Sequence, residues 1–247
     1  MVLPLFHISS TDAASAEPGR EITLAGPEGR HAVNVRRMRV GEGIQLSDGA
    51  GIRIGGAVAS VAAAELTVLV GEVFKEQPQL PALELVQALA KGDRDEMAVQ
   101  AATELGVLSV VPWQAERSVS RWEGAKVTKN VERWQTIAAE ASKQALRAWV
   151  PVVAEPVTTK QLCKLSSPER LLLVLDPTGD LQITQVELPI AATISVVVGP
   201  EGGISPVELE ALEAAGAKRV RLGTEVLRTS TAGLAAISIL QARLQRW

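Results

Sequence analysis

The chain has 247 residues, 47% of them hydrophobic, enough to bury a substantial core in one or two domains. Its 25 Lys and Arg against 28 Asp and Glu leave a net charge of −3, which excludes a uniformly basic nucleic-acid-coating protein. The single cysteine, Cys163, excludes an internal disulfide and a Cys-based zinc site, and no apolar run approaches the ~20 residues of a membrane helix.

From Leu3 to Phe74 the pattern is one of short strands. Ile44–Ser47 and Ile52–Ile54 flank Asp48-Gly49-Ala50-Gly51, a hairpin turn, and Glu65–Phe74 closes a small β unit. Within it, Arg30, His31, Arg36, Arg37 and Arg39 form a local basic patch with no acid between them. Lys75–Pro81 is polar, carries two prolines and reads as a linker. The expected domains are therefore residues 1–74 and 82–247, joined by residues 75–81.

Strands and helices alternate beyond the linker, which predicts a parallel sheet. Leu83–Leu89 is an apolar strand. Lys91–Arg94 is a loop in which Asp93 is expected to cap a helix from Arg94 to Leu105, ended by Gly106. Ser109–Pro112 is a strand, and Val131–Trp149 a helix stopped by Pro151. Spacings of four, three and seven put Glu140, Gln144 and Arg147 on one face of that helix. Leu171–Leu175 runs into Asp176-Pro177. The β-branched run Ile194–Val198 runs into Gly199-Pro200-Glu201-Gly202-Gly203. The next helix has Ser205 as N-cap, Pro206 at its first position and Glu208 three residues after the cap, and Gly216 closes it. Lys218–Leu222 is a further strand, followed by Gly223 and a last helix opening at Thr231-Ala232.

Two glycine-bearing loops thus leave the C-terminal ends of two strands, the edge where open α/β sheets bind ligands. Neither GxxxxGK[ST] nor GxGxxG occurs, and the first loop carries Glu201 with no Lys, so a nucleoside bearing positive charge suits it better than a nucleotide. Lys91, Arg94 and Arg117 fall on the same edge, where Arg is suited to clamp phosphate. No His, Asp or Glu cluster has metal-ligand spacing, so no metal is expected. The amino terminus lacks a cationic stretch followed by a long apolar one. No signal peptide is therefore expected, and a cytoplasmic location is the default.

GPEGGISPVELEAL followed by LGTEVLRTSTA resembles the cofactor-binding half of the SPOUT methyltransferases, and more narrowly the RsmE family. Further matching stretches are Gly29-Arg30-His31 with Val35–Glu42, then Lys91–Val107, Pro112–Ser118 and Glu132–Pro151, in the family's order from about Leu24 onward. The resemblance implies an N-terminal PUA-like barrel and a C-terminal SPOUT parallel sheet with a trefoil knot. It implies an S-adenosylmethionine-dependent enzyme that methylates N3 of a uridine in 16S ribosomal RNA of the small subunit, with an active site built across a homodimer. In that reading the cofactor pocket is formed by Leu175 and Asp176, by Gly199, Pro200, Glu201 and Gly202, and by Leu222, Gly223, Leu227, Arg228, Thr231 and Ala232, the glycines admitting the ligand where a Cβ would collide. Arg94, Arg117 and Arg228 are candidates to stabilise charge on the uracil ring, and Glu140 or Glu201 to take its proton. The RNA-facing set is Arg30, His31, Arg36, Arg37, Arg39, Lys91, Gln144 and Arg147. The chain departs from the family at Ser230, where an acid is usual, and in lacking an Arg in its first ten residues. The alternatives are a SPOUT enzyme acting at another RNA position or a ribose 2′-oxygen, and a non-catalytic RNA-binding ribosome-assembly factor.

Overall fold

The computed structural model describes residues 2–189 and 193–247. The chain forms two compact units, Met1–Pro78 with Ser142–Val150, and Gln79–Ala141 with Pro151–Trp247.

The first unit contains β1 (Leu5–His7), α1 (Ser10–Ala14), β2 (Glu21–Leu24), α2 (Gly26–Arg30), β3 (Gly43–Ser47), β4 (Ile52–Val61) and β5 (Leu66–Lys75). Its sheet has the order β1-β3-β4-β5-β2, antiparallel except for β1 on β3. Two register shifts in β4, at Gly55/Gly56 and Val58/Ser60, bend the strand and curl the sheet. Phe6, Leu24, Ile44, Leu46, Ile54 and Val68 fill the concave side. The Asp48 carboxylate accepts from the amides of Ala50 and Ile52 at 2.8 and 3.0 Å, which fixes the β3–β4 turn. Of the basic patch, Arg30 ends α2 and His31 opens a π-helical turn, His31–Val35, while Arg36, Arg37 and Arg39 lie in the loop that follows it. Pro27 at the start of α2 presets the helical φ there.

The second unit contains β6 (Ala82–Ala88), α3 (Arg94–Glu104), β7 (Ser109–Gln114), α4 (Ala125–Gln144) up to Ala141, β8 (Val152–Val153), β9 (Val157–Thr158), α5 (Thr159–Cys163), β10 (Arg170–Leu175), β11 (Leu181–Gln182), β12 (Thr193–Val198), α6 (Pro206–Ala214), β13 (Lys218–Arg221) and α7 (Thr229–Arg243). Its sheet has the order β11-β13-β10-β12-β6-β7-β8, with β9 also on β7, and every pairing is parallel. β12 is covered on both faces, which explains its continuous apolar run. Its buried Ser195 donates to Glu84 Oε1 at 2.7 Å. Ser109 and Arg170 also reach that buried carboxylate, so four neighbouring strands share one satisfied acid. No helix among the described residues is long and apolar enough to cross a membrane.

The α6 start is as the sequence predicts: Ser205 and Glu208 form a complete capping box, and Gly216 sits at φ 94° beyond the helix end. Two expectations fail. Asp93 makes no side-chain capping bond; Asp95, two residues on, takes the amide of Ala90 instead. The helix expected at Val131–Trp149 starts at Ala125, after Gly124 at φ 54°, and ends at Gln144, because Leu146 turns left-handed at φ 55° and the Arg147 amide folds back onto Ser142 O at 2.9 Å. Arg147 is therefore off the helix and shares no helical face with Glu140 and Gln144.

Candidate active site

β13, β10, β12 and β6 are adjacent and parallel, so their C-terminal ends share one edge of the second unit. The loops leaving that edge enclose a cavity of about 500 Å³ with apolar walls from Leu175, Pro177, Val198, Ile204, Val226 and Leu227. Asp176, Gly199, Pro200, Glu201, Arg228 and Ala232 also line it, as does Arg94 at the start of α3. A smaller adjoining space of about 70 Å³ adds Leu222 and Gly223 and shares Leu175, Asp176, Leu227 and Ala232. Gly199 thus lines the larger space and Gly223 the smaller one beside it. Gly202 and Thr231 stand outside both spaces. Glu140 and Gln144 are exposed and line neither.

Charged groups near this cavity are fixed by one another. Glu201 Oε1 accepts from the Lys91 amide at 3.2 Å and from Arg94 Nη1 at 3.1 Å, tying the β12 loop to the β6–α3 loop. Burial alone would raise the Glu201 pKa, but its own amide, that of Lys91 and the Arg94 guanidinium outweigh it and hold the carboxyl below its usual range. Arg117, after β7, donates to Gly202 O at 3.1 Å. The Asp176 carboxylate is turned into its own loop, accepting from the amide and hydroxyl of Thr178. The Asp176 amide donates to Val220 O at 3.0 Å and docks the β10 loop against β13.

Three contributors lay outside the sequence reading. Thr229 lines the cavity; its hydroxyl donates to Gly199 O at 2.8 Å and accepts from Gln87 Nε2 at 3.0 Å. Gln87 was signalled only as a lone amide in an apolar strand. Ile204 explains Gly199: a Cβ there would stand 2.6 Å from Ile204 Cγ1. That glycine makes room for a neighbouring side chain of the wall, rather than for the ligand directly. At Gly223 an added Cβ would meet nothing closer than Glu225 Oε2 at 3.6 Å, so packing places no demand on it.

In the first unit, Arg30, Arg36, Arg37 and Arg39 are all exposed, and among the described residues none forms an ion pair. Two acids near them in sequence are already engaged: Glu28 holds Lys143 at 2.6 Å, and Glu42 accepts from the backbone amide of Arg39. The His31 ring packs edge-on against Phe6, with centroids 5.8 Å apart. Arg147 is half-buried, and burial pushes its pKa down to about 10.

The site and sheet define an RNA methyltransferase domain, whose family model matches residues 76–241; a second, the RNA methyltransferase PUA domain, matches residues 24–69. The ribosomal RNA small subunit methyltransferase E of Mycobacterium bovis is 36% identical over 251 residues, covering 100% of this chain and 94% of that one. Its counterpart from Bacillus subtilis is 32% identical over 91% of each. Among solved structures, the Neisseria gonorrhoeae ribosomal RNA small subunit methyltransferase E bound to S-adenosyl methionine superposes with a TM-score of 0.87 at 27% identity, over 98% of both chains. A putative methyltransferase from Legionella pneumophila, also with bound cofactor, gives 0.86 at 28% identity over 98% of both. The chain belongs to the ribosomal RNA small subunit methyltransferase E family.

Proposed function

We propose that the protein transfers a methyl group from S-adenosylmethionine to N3 of a uridine in 16S ribosomal RNA. The observation that carries this is the cavity of about 500 Å³ at the sheet edge. Its size and apolar walls match a nucleoside ligand, and it offers no phosphate cradle. Leu175, Leu227 and Ala232 are the candidate contacts for the adenine, with the Gly199, Pro200, Leu222 and Gly223 backbones alongside. Gly202 and Thr231 act by shaping their loops. The cofactor supplies an electrophilic methyl group.

The protein's own share is to hold the uracil in line and to offset the negative charge left when N3 loses its proton. Arg94 is held on the cavity wall by Glu201, Arg117 is anchored to the Gly202 carbonyl, and Arg228 is exposed at the N-terminus of α7; these are the candidate charge-stabilising groups. With Glu201 turned onto Arg94 and Glu140 outside the cavity lining, a solvent-borne base fits better than either carboxylate. N3 is on the pairing edge, so the uridine must be unpaired or extruded. The four unpaired arginines of the first unit, with His31, Lys91, Gln144 and Arg147, are the RNA contacts in this reading. We further propose a homodimer, as the sequence resemblance implies, and a cytoplasmic location, the default reading of the sequence.

The test is methyl transfer from labelled cofactor to small subunits lacking the modification. Primer extension should then stop at a single uridine, because an N3 methyl blocks pairing. Label incorporated without a stop would point to a ribose or another position, and no label to a non-catalytic assembly factor.

A further inference from the structure

The catalytic reading leaves a second cavity of the same unit without a role. It holds about 310 Å³, and its wall includes Lys91, Asp95, Ser120, Trp122, Asn130 and Trp134. Consecutive residues separate it from the cofactor cavity: Arg94 lines the one and Asp95 the other. The two indoles meet edge-to-face with centroids 4.9 Å apart, and are only 5% and 1% exposed, so their ring faces are no stacking platform. Their N–H groups, however, donate to nothing among the described residues, and neither belongs to the buried polar atoms sealed without a partner. Both indoles and Asn130 line the cavity, so these uncommitted N–H groups are the donors it has to offer.

Opposite in character is Asp95. Its two oxygens take the amides of Ala90 at 3.1 Å and Glu96 at 2.9 Å, which fixes the carboxyl while leaving lone pairs for a further donor. Glu96 is committed to Arg133, with Nη2 at 2.7 Å. Two carboxylates on the wall disfavour phosphate. One acceptor beside several donors calls instead for a neutral group that presents N–H flanked by C=O. In RNA that is the imide edge of uracil, or the N1–H and O6 of guanine. Neutral adenine and cytosine carry no ring N–H on their pairing edge.

We propose that this cavity is a base subsite, taking an extruded uracil or guanine that neighbours the methylated nucleotide. Asp95 accepts the ring N–H, and the indole N–H groups and Asn130 donate to the carbonyls. The occupant is not the methylated base, since its N3 would then be closed against Asp95. The assignment deepens the RNA methyltransferase reading and rests on it. Extruding two bases rather than one explains how the enzyme selects a site by local sequence without reading a duplex groove.

The experiment is binding of short single-stranded oligoribonucleotides to the full chain, followed by fluorescence anisotropy. Oligouridylate, oligocytidylate and N3-methylated oligouridylate are compared for wild type, Trp122→Phe, Asn130→Ala and Asp95→Asn. The wild type is expected to prefer oligouridylate over both others. Trp122→Phe removes one N–H and keeps a ring, and Asn130→Ala trims a half-exposed amide. Each should weaken oligouridylate about three- to tenfold, the worth of one hydrogen bond, and leave oligocytidylate unchanged. Equal affinity of the wild type for uracil and cytosine, or an unchanged preference in Trp122→Phe and Asn130→Ala, overturns the proposal. Cofactor affinity, measured by calorimetry on the same variants, should not move. If the wild type binds no cofactor, the methyltransferase reading fails independently of the base preference.

Discussion

Replacing Thr229 by Val tests the internal support of the cofactor loop. Valine keeps the shape and deletes the hydroxyl, which sits in a residue 7% exposed. Two bonds vanish, the 2.8 Å one to Gly199 O and the 3.0 Å one from Gln87 Nε2. Gln87 is completely buried and its Oε1 already lacks a partner, so its amide would keep only Ala88 O at 3.1 Å. At about 1 kcal/mol for each net bond, plus the cost of burying groups left unpaired, the loss is roughly 2–4 kcal/mol. For a chain of this size that is a fall of roughly 5–15 °C in Tm. Because one of the bonds holds the Gly199 carbonyl, cofactor affinity should fall as well, by about tenfold. Thr229→Ser keeps the hydroxyl and should retain most of the affinity. Differential scanning fluorimetry and calorimetry read the two effects. The reasoning is refuted if Thr229→Val melts and binds cofactor like the wild type, or if Thr229→Ser is equally damaging.

The Glu201–Arg94 pair is partly solvent-exposed, so Glu201→Gln should cost under about 1 kcal/mol. It should nevertheless speed hydrogen exchange at the Lys91 amide and lower kcat/KM; unchanged exchange would show that the tether does not hold the loop. Burial raises the Asp95 pKa to about 6, the neighbouring Glu96 adding to the rise while the amides of Ala90 and Glu96 oppose it. The folded state therefore binds the proton more tightly than the unfolded chain, so Asp95 contributes most below pH 4 and that contribution is lost as pH rises to about 6. The loss is at most roughly 3 kcal/mol. Urea midpoints of wild type and Asp95→Asn should diverge across that window, and parallel curves would disprove the shift. Arg36→Glu with Arg37→Glu should weaken binding to small-subunit RNA and flatten its salt dependence, with cofactor affinity unchanged; an unaltered salt slope removes these residues from the interface.

How much of this was legible in the sequence depends on how far apart the interacting residues lie. The α6 capping box was readable because Ser205, Pro206 and Glu208 act within one turn, and the β12 run because burial on both faces leaves a continuous apolar signature. The Asp93–Asp95 choice was not, since two acids of equal local merit are separated only by the path of the Ala90–Gly92 loop. The end of α4 was missed for a related reason: Pro151 is a visible stop, but Leu146 turns left-handed seven residues after Ala139, with no glycine to announce it. The partnership of Gln87 with Thr229 spans 142 positions and leaves no local trace. Gly199 shows how a residue picked out by its type can carry an incomplete reason. A glycine beside a ligand cavity suggests bare backbone facing the ligand, yet its missing Cβ makes room for Ile204, and Ile204 forms the wall. Gly199→Ala should therefore act by displacing that wall. Truncating the obstruction with Ile204→Val should recover part of the lost cofactor affinity in the double variant, a recovery that direct collision of the new methyl with the ligand would not allow.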